Sequence, residues 1–390
     1  MRRYLIILFA LFLLIAPAQA QRGQIGKSVM LSAGSPEDKA LTEVTEATDP
    51  AKKLELLDKW LAEHGKGDLA ILAYEMYVVH YTSEKNYDKA FEYGEKLFAL
   101  DPDAINMAVS LIRLASEKPD LQRVFSYGER VAAIIERYKS SPPAEGTNPD
   151  DWAKIKTETL AELSSTVGFV EYTLFTMGYQ LQDAAQRAAL LERFVAAFPK
   201  SLYASQAQVM AADAYQQARA PQKMVAFAQK VLAGEPDNFW MMVTLADYWA
   251  TQKEQLDAAE AHARKALTLI EQAPKMEGIT EEDWQKQKSL QLGLAWSALG
   301  QIHLHKNRDA QAVDALKTAS PLLKPYDYYY GRNLYFLGFV LARAKRVAEA
   351  RPILTEATTV NSPYKALAQD TLGKIGGPAP AKKAPAKKRP

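Results

Sequence analysis

Phe91-Glu92-Tyr93-Gly94-Glu95-Lys96 returns as Phe125-Ser126-Tyr127-Gly128-Glu129-Arg130, with every matched position 34 residues on. A fixed period of this length marks one copy as one supersecondary unit, which cannot bury its apolar face alone and must stack on its neighbours. Around the echo, apolar residues recur at three- and four-residue spacing, as in Leu69, Leu72, Ala73, Met76 and Tyr77, with no alternating strand pattern. The sequence therefore predicts an all-α solenoid.

Composition agrees with that expectation: 390 residues that are 48% hydrophobic and 24% charged suffice for an extended folded array. The first twenty residues stand apart. Arg2 and Arg3 precede the apolar run Leu5 to Ala16, and Ala18-Gln19-Ala20 supplies small residues for a peptidase. This is signal-peptide anatomy, with cleavage expected near Ala20 and retention as an anchor the alternative. The mature chain is then expected to be periplasmic or extracellular. The absence of cysteine excludes disulfides, thiolate metal sites, thiol nucleophiles and a lipoprotein anchor. The formal charge of +2 is unevenly placed, because Lys382, Lys383, Lys387, Lys388 and Arg389 form a basic tail and leave the body mildly acidic.

Residues 21–34 read as a flexible lead. Ser35-Pro36 and Asp49-Pro50 are cap-plus-proline helix starts that delimit an N-terminal helix pair over 35–65. Further on, Trp296-x-x-Leu299-Gly300-x-x-His303, followed by Ala312, Leu316 and Ala319, resembles the tetratricopeptide repeat. The same frame fits Tyr74, Tyr77, Val78 and Tyr81; Ala212 and Tyr215; Leu245, Ala246 and Trp249; and Leu334, Leu337, Gly338 and Leu341. Gly168 opens another pair in this frame. The resemblance covers about seven repeats over 69–362, with a capping helix over 363–375, and implies a right-handed α-solenoid of stacked antiparallel helix pairs.

A second echo runs at an offset of 132. Pro142, Glu145, Gly146, Asp151, Trp152, Lys154, Lys156, Leu160, Ser165 and Gly168 match Pro274, Glu277, Gly278, Asp283, Trp284, Lys286, Lys288, Leu292, Ser297 and Gly300. Each copy reads as a loop inserted into the stack, near 139–151 and 273–283. Trp152 and Trp284 either cover an edge where the stack is interrupted or serve as docking residues.

Motifs for chemistry are missing. Gly26-Lys27-Ser28 lacks the upstream glycine and the strand of a phosphate loop. His64, His80, His262, His303 and His305 include no helical zinc pair, and no nucleophile elbow is present. The chain reads as a non-enzyme without cofactor or metal.

The resemblance implies that first helices line a concave groove that takes peptides or helices. Carried over position by position, the groove comprises Glu75 and Val79, Val109 and Arg113, Ser165 and Phe169, Val209 and Asp213, Val243 and Asp247, Ser297 and Gln301, and Tyr335 and Phe339. The family's Lys/Asn clamp for a C-terminal carboxylate is not among them. Arg332 and Arg343 beside Tyr335 and Phe339 mark the C-terminal end as the expected binding end, since Arg and aromatic residues are typical hot-spot anchors. The tail over 376–390 is Ala/Pro/Lys low complexity, suited to weak contact with anionic envelope polymer or lipid headgroups, or to keeping the chain soluble. Nucleic acid is not an expected partner. The functional expectation is an envelope scaffold that binds another protein or peptide. The alternatives are a carrier or chaperone for a lipid, carbohydrate or secreted protein, and a non-catalytic subunit of an envelope enzyme complex.

Overall fold

The computed structural model describes residues 24–143, 146–275 and 278–376. The leader over 1–20 and the tail beyond 376 lie outside the described residues. Among those described, secondary structure is helical throughout, and no helix is long and apolar enough to cross a membrane. The chain divides into two compact units, Met1–Ala207 and Gln208–Pro390.

In the first unit, α1 (Pro36–Glu46) and α2 (Pro50–His64) form an antiparallel pair. Ser35 and Asp49 accept the first free backbone N–H groups of these helices, and prolines at the first helical position need no such partner. Trp60, fully buried, donates its indole N–H to the carbonyl of Glu37 at 2.9 Å and locks the pair. Next come α3 (Ala70–Ser83) with α4 (Tyr87–Leu100), and α5 (Ile105–Glu117) with α6 (Leu121–Ser140). They are followed by α7 (Pro149–Glu162), α8 (Ser164–Tyr179) and α9 (Ala184–Ala197).

The 34-residue echo has a packing cause. Gly94 and Gly128 lie on second helices, where a Cβ would come within 2.5 Å of Leu111 and 2.4 Å of Leu174 on the next first helix. No larger residue permits that approach. The paired aromatics add contacts of two kinds: Phe91 stacks on Tyr127 of the next pair with ring centroids 6.1 Å apart, and Tyr93 stacks on Tyr77 within its own pair at 4.1 Å.

The residues before α1 differ from expectation. Lys27 donates its backbone N–H to buried Asp101 at 2.8 Å and its ammonium to Asp68 at 2.7 Å. Gly26, at φ +87°, allows this approach, since a Cβ there would meet the Asp101 carboxylate at 2.8 Å. The part of the lead that is described is pinned rather than free.

The division between the units falls within α10 (Ala204–Gln217). The second unit continues with α11 (Pro221–Gly234), α12 (Phe239–Gln252), α13 (Leu256–Gln272), α14 (Glu281–His305), α15 (Asp309–Leu323), α16 (Asp327–Arg343), α17 (Val347–Ala357) and α18 (Lys365–Lys374). Within pairs the close contact is again glycine against leucine. A Cβ on Gly300 would meet Leu316 at 2.4 Å, and one on Gly338 would meet Leu354 at 2.4 Å. Gly168 does not take this role, because nothing approaches its Cβ position; in α8 the contact falls to Gly178 against Leu191.

The 132-residue echo is also explained locally. In its first copy α7 and α8 are separated at Leu163, whereas in the second the corresponding stretch is the 25-residue α14. In both, a lysine reaches back to the exposed carbonyl end of the preceding helix: Lys156 donates to Lys139 at 2.9 Å and Lys288 to Glu271 at 2.9 Å. A cation there offsets unsatisfied carbonyls and the negative end of the helix dipole. Trp152 donates its N–H to the carbonyl of Ser141 at 3.2 Å and packs edge-on against Tyr138. Gly146 and Gly278 hold matching left-handed conformations, at φ +73° and +79°. The repeated sequence encodes a helix-extension joint.

Candidate functional site

The groove positions separate into two groups, one in each unit. In the first unit they are open: Val79 is 70% exposed, Glu75 is accessible, and Arg113 lies 5.0 Å over the ring of partly exposed Phe169. Only Val109 is buried among them, together with the core of α5. Beside Val79 the surface sinks into a hollow of about 600 Å³. Met76, Val78 and Val79 on α3, Met107 on α5, and Ala47 and Pro50 at the α1–α2 turn supply its apolar lining. Lys53, Glu75 and His80 stand at its polar margin.

Glu75 carries the electrostatic mark of this concavity. Loss of hydration at this concave edge pushes its carboxyl above the ordinary glutamate range, and the nearby Asp101 carboxylate adds to the effect. The hollow is thus an apolar recess with one weakened acid at its edge, a form suited to an apolar side chain from a partner. The α1–α2 turn contributes a wall that the repeat frame did not include. Its sequence signal was the apolar Ala47 and Pro50 flanking the capping Asp49.

In the second unit the positions on α12, α14 and the start of α16 are filled by the protein itself. Arg332, expected as an exposed anchor, is 2% exposed. Its guanidinium makes two hydrogen bonds to the Asp247 carboxylate, one of them 3.0 Å long, and one of 3.4 Å to the Thr251 hydroxyl. Burial alone would lower its pKa, but the Asp247 charge and hydrogen bonds outweigh that and raise it. Tyr328 and Tyr329 lie over the guanidinium, with centroids at 6.0 and 5.4 Å. Gln301 is fully buried, accepts from Thr251 at 3.4 Å and donates to the Ser297 carbonyl at 3.4 Å. Val243 and Ser297 are buried too.

Arg343 is engaged as well. It pairs with Asp309 and donates to the Leu304 carbonyl at 3.0 Å, tying the end of α16 to the α14–α15 turn. Asp213 remains exposed and accepts from Gln217 at 2.6 Å. Tyr335 is half-buried and Phe339 exposed, their centroids 6.1 Å apart. The two tryptophans singled out for docking are not available: Trp152 is 7% exposed and Trp284 is 3% exposed.

Among the described residues, no cluster of three or more His, Asp or Glu side chains is placed to hold a metal ion. The densest charged cluster surrounds Glu260, which accepts from Lys306 at 2.7 Å, Arg264 at 3.0 Å and Arg308 at 3.2 Å. Burial pushes Glu260 up, yet the hydrogen bonds from Lys306 and Arg264 prevail and hold it down at about 2. His303 sits 3.5 Å from Arg264 with its pKa lowered, chiefly by burial. This network joins α13 to α14 and the start of α15.

The register of the repeat can be read from the turns. After five first helices the chain closes with the same backbone bond across five residues: Asn86 to Tyr81, Ala220 to Tyr215, Glu254 to Trp249, Arg308 to His303 and Arg346 to Leu341, at 2.8 to 2.9 Å. The residue before each donor is in or next to a left-handed conformation, as at Lys85, Arg219, Lys253, Asn307 and Lys345. This is the Schellman closure. Its acceptors are the last position of the repeat frame in every case. Three residues earlier stand Val78, Ala212, Ala246, Gly300 and Gly338, and of these the two glycines admit a leucine of the second helix.

No protein-family model and no curated protein matches the chain. The crystal structure of yeast Tom70 aligns with 90% of this chain and 66% of that one, at a TM-score of 0.37 and 12% identity. The chain therefore spans just under two thirds of the Tom70 chain. The crystal structure of the P58(IPK) TPR domain aligns with 87% of this chain and 88% of that one, at a TM-score of 0.26 and 12% identity. Scores of this size do not set the chain beside either protein, and the assignment stands on its own turns and glycine contacts. By those, the chain is built of tetratricopeptide-like helix pairs.

Proposed function

We propose that this chain is a protein-interaction scaffold whose open groove in the first unit takes a helix or peptide from a partner protein. The observation that carries this is the contrast in exposure. Val79 stands out at the rim of a 600 Å³ apolar hollow and Phe169 and Tyr172 are exposed on α8, whereas in the second unit the positions around Arg332, Asp247 and Gln301 are taken up by contacts within the chain. Exposed apolar side chains around a recess mark an interaction surface, and an amphipathic helix laid in such a groove is held by anchors at three- and four-residue spacing. Met76 and Met107 suit such a recess because thioether chains repack around different anchors.

In this reading the leader over 1–20 directs export, and the partner belongs to the cell envelope or the secreted fraction. The test has two parts. A peptide selected against the mature chain is titrated into native protein and into Val79→Asp, a change at a side chain that is 70% exposed. Loss of at least tenfold in affinity with unchanged melting supports the groove, and unchanged affinity rejects it. Terminal sequencing of fractionated protein then checks for a start near Gln21; a cytosolic chain retaining Met1 rejects export.

A further inference from the structure

Within the open groove of the first unit, Glu75 is a charge that the chain leaves unpaired. Among the described residues no hydrogen bond or ion pair reaches its carboxylate, and the only charge acting on it is the like charge of Asp101. The cations of this region are engaged elsewhere or out of reach. Lys27 gives its ammonium to Asp68 at 2.7 Å and its backbone N–H to Asp101 at 2.8 Å. Arg113, at a groove position of α5, lies over the ring of Phe169 at 5.0 Å. Lys53 and His80 line the hollow together with Glu75, yet neither acts on it. Asp101 is held where it is, because it is buried and also accepts the backbone N–H of Asp103 at 3.1 Å.

This arrangement discriminates between partners by charge. Two carboxylates beside one recess repel an acidic partner, and a carboxylate that has lost hydration without gaining a partner gains most from an incoming cation. The apolar wall sets the distance at which that cation must stand. Glu75, Met76 and Val79 line one hollow, and Val79 follows Glu75 by about one helical turn, roughly 6 Å along α3. An apolar side chain seated against Val79 therefore lies one turn from the carboxylate, which is the spacing of residues three or four apart on a second helix.

We propose that the segment bound in this groove is an amphipathic helix with a lysine or arginine three or four residues from its apolar anchor, the anchor filling the hollow beside Val79 and the cation pairing with Glu75. The proposal rests on the groove reading above and adds the charge of the partner to it.

The probe is a displayed library of helical peptides with a fixed leucine anchor and random residues three and four positions to either side. Selection against the mature chain should enrich Lys and Arg at one of those positions, and selection against Glu75→Gln should not. For the best peptide, Glu75→Gln and replacement of the peptide's basic residue by Met should each weaken binding about tenfold, and the two together should cost little more than one alone, as coupling of a close charge pair requires. Glu75→Gln relieves repulsion from Asp101, so its melting temperature should match or exceed the native one. Val79→Asn, polar without a new charge, separates this proposal from the groove reading. Affinity lost with Val79→Asn but kept with Glu75→Gln leaves the groove in place and overturns the basic partner, as does enrichment of Asp and Glu at the random positions. Fully additive losses overturn the pairing of the peptide's cation with Glu75. Affinity kept with Val79→Asn overturns both readings, because any cation contact that remains then lies outside the hollow.

Discussion

The ion pair between Arg332 and Asp247 makes the sharpest prediction. Its partners lie 85 residues apart and tie α12 to α16 within the second unit. Removing one member of a buried pair leaves an uncompensated charge and costs roughly 3–5 kcal/mol. The two ends are not equivalent, since the Arg332 side chain is 3% exposed and that of Asp247 is 19% exposed. Arg332→Ala leaves a carboxylate that still reaches water and belongs at the lower end, about 3 kcal/mol. Asp247→Ala strands a sealed guanidinium with only Thr251 and belongs at the upper end, about 5 kcal/mol. For a unit of this size, each kcal/mol moves the midpoint by about 2–4 °C. Arg332→Ala should therefore lower the midpoint of the second unit by at least about 6 °C, and Asp247→Ala by more. Replacing both with leucine should recover most of the loss, because two apolar groups of similar volume leave no unpaired charge. Thermal unfolding followed by circular dichroism, resolved into the transitions of the two units, reads this out. A shift below about 1 °C for Arg332→Ala, or a double leucine variant worse than both single changes, would refute the buried-pair account.

Three further outcomes follow from the packing and the charges. Gly338→Ala puts a Cβ 2.4 Å from Leu354 and should cost about 1–3 kcal/mol in urea unfolding, whereas Gly168→Ala, which meets nothing, should be neutral or stabilising. Lys345→Gly should stabilise by a few tenths to about 1 kcal/mol, because φ +59° strains a lysine and not a glycine; a loss of stability would contradict the turn assignment. His262, His303 and His305 are all depressed, chiefly by burial, so their neutral forms are favoured in the folded chain. Their contribution is present above the ordinary histidine value of about 6.5 and is lost as pH falls below it, when the unfolded chain takes up more protons. The midpoint of the second unit should therefore drop between about pH 7 and 5, and replacing the three with Gln should flatten that slope.

Much of the fold was legible because its causes are local. Ser35-Pro36 and Asp49-Pro50 set helix starts through bonds within one turn, and the 34-residue echo reports the close approach that Gly94 and Gly128 permit. The frame slipped at Gly168 because the match to Gly300 compares a helix broken at Leu163 with one that runs unbroken. The site was less legible, since exposure depends on contacts between repeats. Asp247 and Arg332 both fell on the groove face, and their opposite charges two repeats apart were the available signal of a pair. Arg343 was misplaced for the same reason, as its partner Asp309 starts a neighbouring helix. Trp152 and Trp284 looked like loop residues until Lys156 and Lys288 showed what the loop closes.

The account's central claim is that the partner binds in the first unit and not in the filled face of the second. A photo-crosslinking residue placed at Val79 or at Asp213, both exposed, tests it directly with the selected peptide. Crosslinks at Val79 that disappear when unlabelled peptide is added, with none at Asp213, are the predicted result. Crosslinks at Asp213 with none at Val79 would contradict the account.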